Sequence, residues 1–183
     1  MRGGSSQLSP VLVAHQEGVV GALAVGCLAL TADGPLGAVS AAGPLGVALA
    51  VGVAAGAGMS GLAWLLTACP PVRELERFQS ELVGRWSLTE SLAVAALSGL
   101  AEEALIRAVL QPLIGLVAAT AVFAVLHVVP DRRAWPWPVL AFGLGLGFGL
   151  LFERWGYPAA AAAHVTVNTI GLLRSRRLTD GES

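Results

Sequence analysis

From Val11 to Leu173 the sequence keeps returning to apolar stretches about as long as a bilayer crossing, and that rhythm limits its possible folds more than any other feature. A helix needs about 20 apolar residues to span hydrocarbon, and fewer where its polar groups face other helices. By that measure there are six stretches, at about 11–32, about 44–68, about 88–110, from the Gln111-Pro112 break to about 129, about 137–152 and about 157–173. A Gly/Pro-rich approach (Gly34, Pro35, Gly43, Pro44) precedes the second stretch, and residues 33–44 have room for a short or re-entrant piece. Between the second and third lies Pro71 to Trp86, where Leu75, Phe78 and Leu82 recur at helical spacing among charges. This segment reads as an amphipathic helix lying on the membrane surface. The expected fold is all-α: a polytopic integral membrane helix bundle of about six transmembrane helices plus one amphipathic surface helix, forming one membrane domain over residues 1–183.

Composition agrees with this reading. The chain is 55% hydrophobic and 13% charged, with a mean hydropathy of +0.73, too apolar and too poor in charge for an ordinary soluble domain. Its 11 basic residues are all arginine, balanced by 12 acids, and they form no basic patch with interleaved aromatics. Nucleic acid is excluded as a partner, and the lipid bilayer is the implied one. Cys27 and Cys69 lack CxxC or metal-ligand spacing and read as small packing residues. The start of the chain, with Arg2 and then His15, Gln16 and Glu17, lacks the compact charged-then-apolar design of a secretory signal, so the first stretch is expected to stay as an anchor.

Arginines near helix ends give an orientation, because positive charge is retained on the cytoplasmic side. Arg2, then Arg73, Arg77 and Arg85, then Arg132 and Arg133, then Arg174, Arg176 and Arg177 fall on one side of a six-helix arrangement, and Arg154 on the other. Both termini are expected to be cytoplasmic. The lysine-free, Ala-, Gly- and Arg-rich composition suits a high-GC bacterium and hence a bacterial inner membrane. On this arrangement Glu102 and His164 lie roughly 10–15 Å below the outer boundary, at about 1.5 Å per residue. Glycines four apart, Gly52/Gly56, Gly143/Gly147 and Gly145/Gly149, are expected to let helix backbones approach closely. Trp64, Trp86, Trp135, Trp137 and Trp155 read mostly as interface anchors, and His15 as interfacial and inert.

The third stretch contains Glu102-Glu103-Ala104-Leu105-Ile106-Arg107. Charges at that depth cost roughly 2.5 to 3.5 kcal/mol each on insertion scales, so three kept together point to a functional site. Residues four apart share a helix face, so Glu103 and Arg107 can pair while Glu102, about 100° around, points elsewhere. A poorly solvated carboxylate is a better proton acceptor near neutral pH than an exposed one, which makes Glu102 a candidate base for water. Two further pairs at the same spacing follow, Phe123-x-x-x-His127 and His164-x-x-x-Asn168. His127 is the candidate to hold the water and pass a proton to a leaving amine. His164 and Asn168 can offer N–H donors to an oxyanion, each worth about 3 kcal/mol. Such a set performs hydrolysis of peptide-like bonds. Phe123 reads as packing, and Ser98, with no GxSxG or Ser-Lys pattern around it, is assigned no catalysis.

These motifs resemble those of the CPBP intramembrane proteases, a family that includes the CAAX prenyl endopeptidases, whose pattern is EExxxR, then FxxxH, then HxxxN or HxxxD on successive membrane helices. The resemblance covers about residues 90–173, with the catalytic core expected within 88–173. It implies a glutamic-type peptidase in which Glu102 and His127 activate water, His164 and Asn168 stabilise the oxyanion, and Glu103 and Arg107 support the site. The substrate implied is a membrane-anchored protein, cut near a membrane boundary in a sorting-tag or CAAX-like reaction. Where many members have a bulky aromatic and a glycine flanking the arginine, this chain has Ile106 and Ala108. The short gap from Glu102 to His127 also requires a kinked helix or irregular turn at Gln111 to Gly115 to bring the two level.

Other chemistries use similar groups. One Glu and two His match the donor set of a zinc hydrolase, but HExxH is absent and the resemblance implies metal-free chemistry with no cofactor. Buried charges also serve small transporters and proton-linked channels, and a non-catalytic immunity or scaffold protein can retain them as structure.

Overall fold

The structure, a computed structural model, describes residues 7–30 and 39–181, so the possible extra segment at 33–44 falls largely outside the described residues. The chain forms helices α1 (Pro10–Leu28), α2 (Leu45–Leu66), α3 (Pro70–Val83) and α4 (Leu88–Glu103), a π-helical stretch (Ala104–Leu110), the short α5 (Gln111–Ile114), α6 (Leu116–Leu126), a 3-10 turn (Arg132–Ala134), α7 (Pro136–Trp155) and α8 (Tyr157–Gly181). Among the described residues three spans are long and apolar enough to cross a membrane: Pro10–Leu28, Leu45–Leu66 and Arg132–Trp155. The other apolar stretches expected to cross are helical too, but α6 has only 11 residues and α4 carries the charged cluster near its end.

Local chemistry sets the helix boundaries. Ser9 Oγ accepts from Leu12 N–H ahead of Pro10 in α1. Ser87 and Glu90 form a reciprocal capping box at the start of α4. Gly115 and Gly156 take φ of +82° and +79°, a region only glycine enters without strain, and each ends one helix directly before the next.

The long α8 is the central helix, with α2, α3, α4 and α7 packed around it. Its Ala159, Ala160 and Ala163 are fully buried. Gly52 and Gly56 of α2 meet this alanine face, where a Cβ on Gly56 would sit 2.5 Å from the Ala163 carbonyl oxygen. Gly145 and Gly149 likewise form a close contact, whereas Gly143 faces open space. Large apolar side chains of α1, α2 and α6, such as Val19, Leu62 and Val125, stay more than half exposed, as lipid-facing positions do.

Helix α3 is amphipathic as expected but does not turn its apolar face to lipid. Leu75 and Phe78 are buried against Ala134, with Val129 and Leu140 alongside. The bundle offers a protein surface that covers them, and α8, extending past its expected end at 173, lays Arg174 and Thr179 against Glu76 and Ser80 of α3. The start of α1 is tied to the same end: Leu8 N–H donates to Leu82 O at 3.1 Å and Trp86 Nε1–H to Leu8 O at 2.8 Å. Trp86 is thus a buried clasp and not an interface anchor, because its indole N–H has a backbone partner.

Candidate active site

The site begins with an interruption in a helix. After Glu103 the backbone loosens into a π-helical stretch, and Gln111 N–H donates to the Ile106 carbonyl five residues back. Such stretches often accompany functional sites because they re-aim side chains without ending the helix. Pro112, which has no N–H to offer, follows immediately, and the turn comes at Gly115. The expected irregularity between Glu102 and His127 is present, but it starts earlier than Gln111. The helix does not break at Gln111-Pro112.

Glu103 and Arg107 are completely buried and joined at 3.1 Å from Nε to Oε2. Arg107 Nη1 also donates to Thr120 Oγ1 at 3.2 Å and Gln111 Oε1 at 3.3 Å, and its guanidinium carbon lies 5.6 Å from the Phe123 ring centre. Gln111 Nε2 then donates to the Gly149 carbonyl and to Glu153. Gly149 has no room for more: a Cβ there would be 2.8 Å from Gln111 Oε1 and 3.3 Å from Arg107 Nη1.

The other oxygen of Glu103 accepts from His164 Nδ1 at 2.9 Å. A carboxylate accepts only, so the Nδ1 proton sits on the ring and the opposite nitrogen, Nε2, is the one left for other work. His164 is buried and stacked on Phe148 at 4.6 Å. His127, half-buried at the end of α6, directs Nδ1–H to its own Phe123 carbonyl at 2.8 Å, which likewise leaves Nε2 free. Phe123 stands between the two imidazoles, 4.5 Å from His127 and 5.7 Å from His164, so it is the hub of the cluster as well as a packing residue. Trp137 closes the far side of His127 at 5.9 Å, nearer the site than an interface anchor would lie.

Glu102 turns away from Arg107, as the helical spacing predicts, and is in electrostatic contact with His164, Glu17, His127 and Glu103. Asn168, one turn beyond His164, donates from Nδ2 to Ser98 Oγ at 2.9 Å, and Ser98 lies one turn before Glu102. Glu102, Glu103, Arg107, His127 and His164 thus gather in one cluster drawn from α4, the π-helical stretch, α6 and α8, while Asn168 meets α4 through Ser98, one turn before Glu102. Sequence reasoning missed Gln111, Thr120 and Glu17. Gln111 was detectable, since Glu103, Arg107 and Gln111 form one ladder at four-residue spacing. Among the described residues no three His, Cys, Asp or Glu side chains gather as a metal-ligand set.

The fold and this network define a helical membrane protein whose carboxylates, imidazoles and amide meet inside the bundle. Residues 84–170 match the family model described as Rce1-like, type II CAAX prenyl endopeptidase, a CPBP-type domain. The match takes in every motif residue from Glu102 to Asn168 and carries with it the implication of a protease. No curated protein and no solved structure matches the chain.

Proposed function

We propose that this chain is an intramembrane endopeptidase of the glutamic type that hydrolyses a peptide bond of a membrane-tethered protein near a membrane boundary. The observation that carries the proposal is the convergence of Glu102, His127 and His164 within a mostly buried cluster inside the bundle. In the reaction Glu102 takes a proton from water as its oxygen bonds to the scissile carbonyl carbon. His127, with a free Nε2, orients the water and relays the proton to the leaving nitrogen as the C–N bond breaks. The oxyanion is met by His164 and by the Asn168 N–H that Ser98 leaves free. Glu103, held by Arg107, fixes the His164 ring and stabilises positive charge on it. This chemistry uses no metal or cofactor.

The proposed topology has six crossings, with α4 to α5, α6 and α8 joining the three long apolar spans. Both termini lie in the cytoplasm of a bacterial cell. Support comes from one end of the bundle, where α3, Arg133 and Arg174 gather with the start of α1. The site then opens outward, which suits removal of C-terminal sorting tags more than cytosolic CAAX processing. A reporter fused after Arg177 is expected to be cytoplasmic; an external reporter overturns the orientation.

The decisive experiment compares the termini of membrane and secreted proteins in cells carrying the native chain or Glu102→Gln at equal expression. A defined set of longer precursors is expected with Glu102→Gln alone. Unchanged termini, with both proteins folded and the exported proteins being made, would remove the peptidase reading.

A further inference from the structure

Glu17 lies in α1, outside residues 84–170, and takes no part in the reaction described above. It sits in a helix otherwise suited to lipid, yet only 6% of it is exposed. It belongs to the stripe Glu17, Gly21, Ala24 and Leu28, spaced four, three and four, which faces the protein. Gly21 on that stripe brings α1 close to α4, where a Cβ would meet Ala101 Cβ at 3.5 Å, an ordinary contact. The Leu8–Leu82 and Trp86–Leu8 hydrogen bonds hold the start of α1 beside the start of α4, so the two helices run parallel in a fixed register.

That register presents Glu17 to the reaction centre. Its side chain faces that of Glu102 and is within electrostatic reach of His164. Its buried Oε2 has no hydrogen-bond partner. A carboxylate is an acceptor only, so two facing carboxylates can bond to each other only when one of them carries a proton. Two like charges in a shared site do not both ionise readily. The groups facing the pair are engaged elsewhere, although both imidazoles still act on it electrostatically: Glu103 and Arg107 on the α4 side are bound to each other, His164 from α8 is bound to Glu103, and His127 from α6 is bound to a carbonyl.

We propose that Glu17 is a positioning residue of the active site, which holds the Glu102 carboxyl by sharing one proton with it across the α1–α4 contact. This rests on the peptidase reading for its consequence and on the geometry for its existence. At rest the pair carries one proton and one negative charge. As water attacks, the new C–O bond forms and the water proton passes to Glu102, so that the pair holds two protons and is neutral. One proton then leaves for the amine nitrogen as the C–N bond breaks, and the pair returns to its resting charge. Glu17 touches neither water nor substrate. It keeps the base in a single-proton state and in one orientation.

The test uses the full chain in lipid nanodiscs with Glu17→Gln, Glu17→Asp and Glu102→Gln. Infrared spectra at neutral pH are expected to show a protonated-carboxyl C=O band in the native protein that disappears in both glutamine variants. A band that either variant leaves intact, or no band in the native protein, overturns the shared proton whether or not the protein cleaves anything. The second readout is cleavage of the most abundant precursor from the terminus comparison, reconstituted in the same bilayers. Glu17→Gln, which keeps the shape but removes a neighbouring negative charge, is expected to slow turnover by roughly tenfold or more. It should also move the acid limb of the rate profile to lower pH, and Glu17→Asp should restore part of the native profile. An unchanged rate and profile in Glu17→Gln overturn the positioning role. A native protein that cleaves nothing sinks the peptidase reading instead and leaves the infrared result to decide on the carboxyl pair.

Discussion

The molecule contains two arginine–carboxylate clusters built from nearly the same parts. Arg107 binds Glu103 and lies over Phe123; Arg133 binds Glu81 and Asp131 and lies over Phe78, 4.7 Å from its ring centre. The first pair is wholly buried, while in the second the side chains are 33% to 42% exposed. Water can replace any partner that Arg133 loses. Nothing replaces one that Arg107 loses, so its cluster specifies a geometry where the other only favours a contact.

Arg107→Leu should have the largest effect. It strands Glu103 without its ion pair and is expected to destabilise the protein by about 3–5 kcal/mol, read as unfolding in detergent or nanodiscs. Arg107→Lys should not rescue it, because one ammonium cannot reproduce a guanidinium that reaches Glu103 from Nε and Thr120 and Gln111 from Nη1. A stable Leu variant would show the two clusters to be equivalent. Gly149→Val comes next: it drives a side chain into Gln111 and Arg107 and is expected to cost about 1–3 kcal/mol and to lower cleavage. Native stability in that variant would mean that α7 can back away from the polar ladder.

At the wet end the effects shrink. Trp86→Phe removes a single hydrogen bond from the α1 clasp and is expected to cost about 0.5–1.5 kcal/mol in the same unfolding assay. Arg133→Ala should change stability by about 0–1 kcal/mol, less at high salt. Asp131→Asn should be smallest. The Arg133 backbone N–H and guanidinium hold the Asp131 carboxyl below its usual range. Its contribution is therefore present above the ordinary Asp pKa and lost as pH falls through the lowered value, so native and variant curves should converge in acid. A gap that persists there would show that the two side chains differ in more than charge.

The helical class, the amphipathic α3 and the grouping of three motifs were legible in sequence because each leaves a periodic trace. Glu103 and Arg107 meet through one helix's own spacing, which one-dimensional reasoning handles well. Asn168 finding Ser98, or Thr120 finding Arg107, depends on how separate helices turn toward one another, and the sequence carries no local mark of that. Glu17 is a different case. It is a charge in an apolar stretch, the signal that exposes Glu102, but in sequence it reads with its neighbours His15 and Gln16 as part of a polar helix entrance. Burial separates them, since His15 is exposed and Glu17 is not. The π-helical stretch was legible only as a geometric need, because Leu, Ile, Ala and Val there would suit an α-helix equally well.

That stretch has a consequence for how the chain can change length. A π-helical turn contains one residue more than the α-helix it interrupts, and deleting one residue between Ala104 and Leu110 would let the segment close into regular helix. Each α-helical residue turns the chain by about 100°. The deletion would therefore rotate Gln111 and everything joined rigidly beyond it relative to Glu102 and Glu103, and α6 would carry Phe123 and His127 together away from their places beside Glu102. A shorter and locally more regular chain would lose both the site's arrangement and the partners Arg107 finds in Gln111 and Thr120, so this short stretch cannot give up a residue even though every side chain in it but Arg107 is ordinary and apolar.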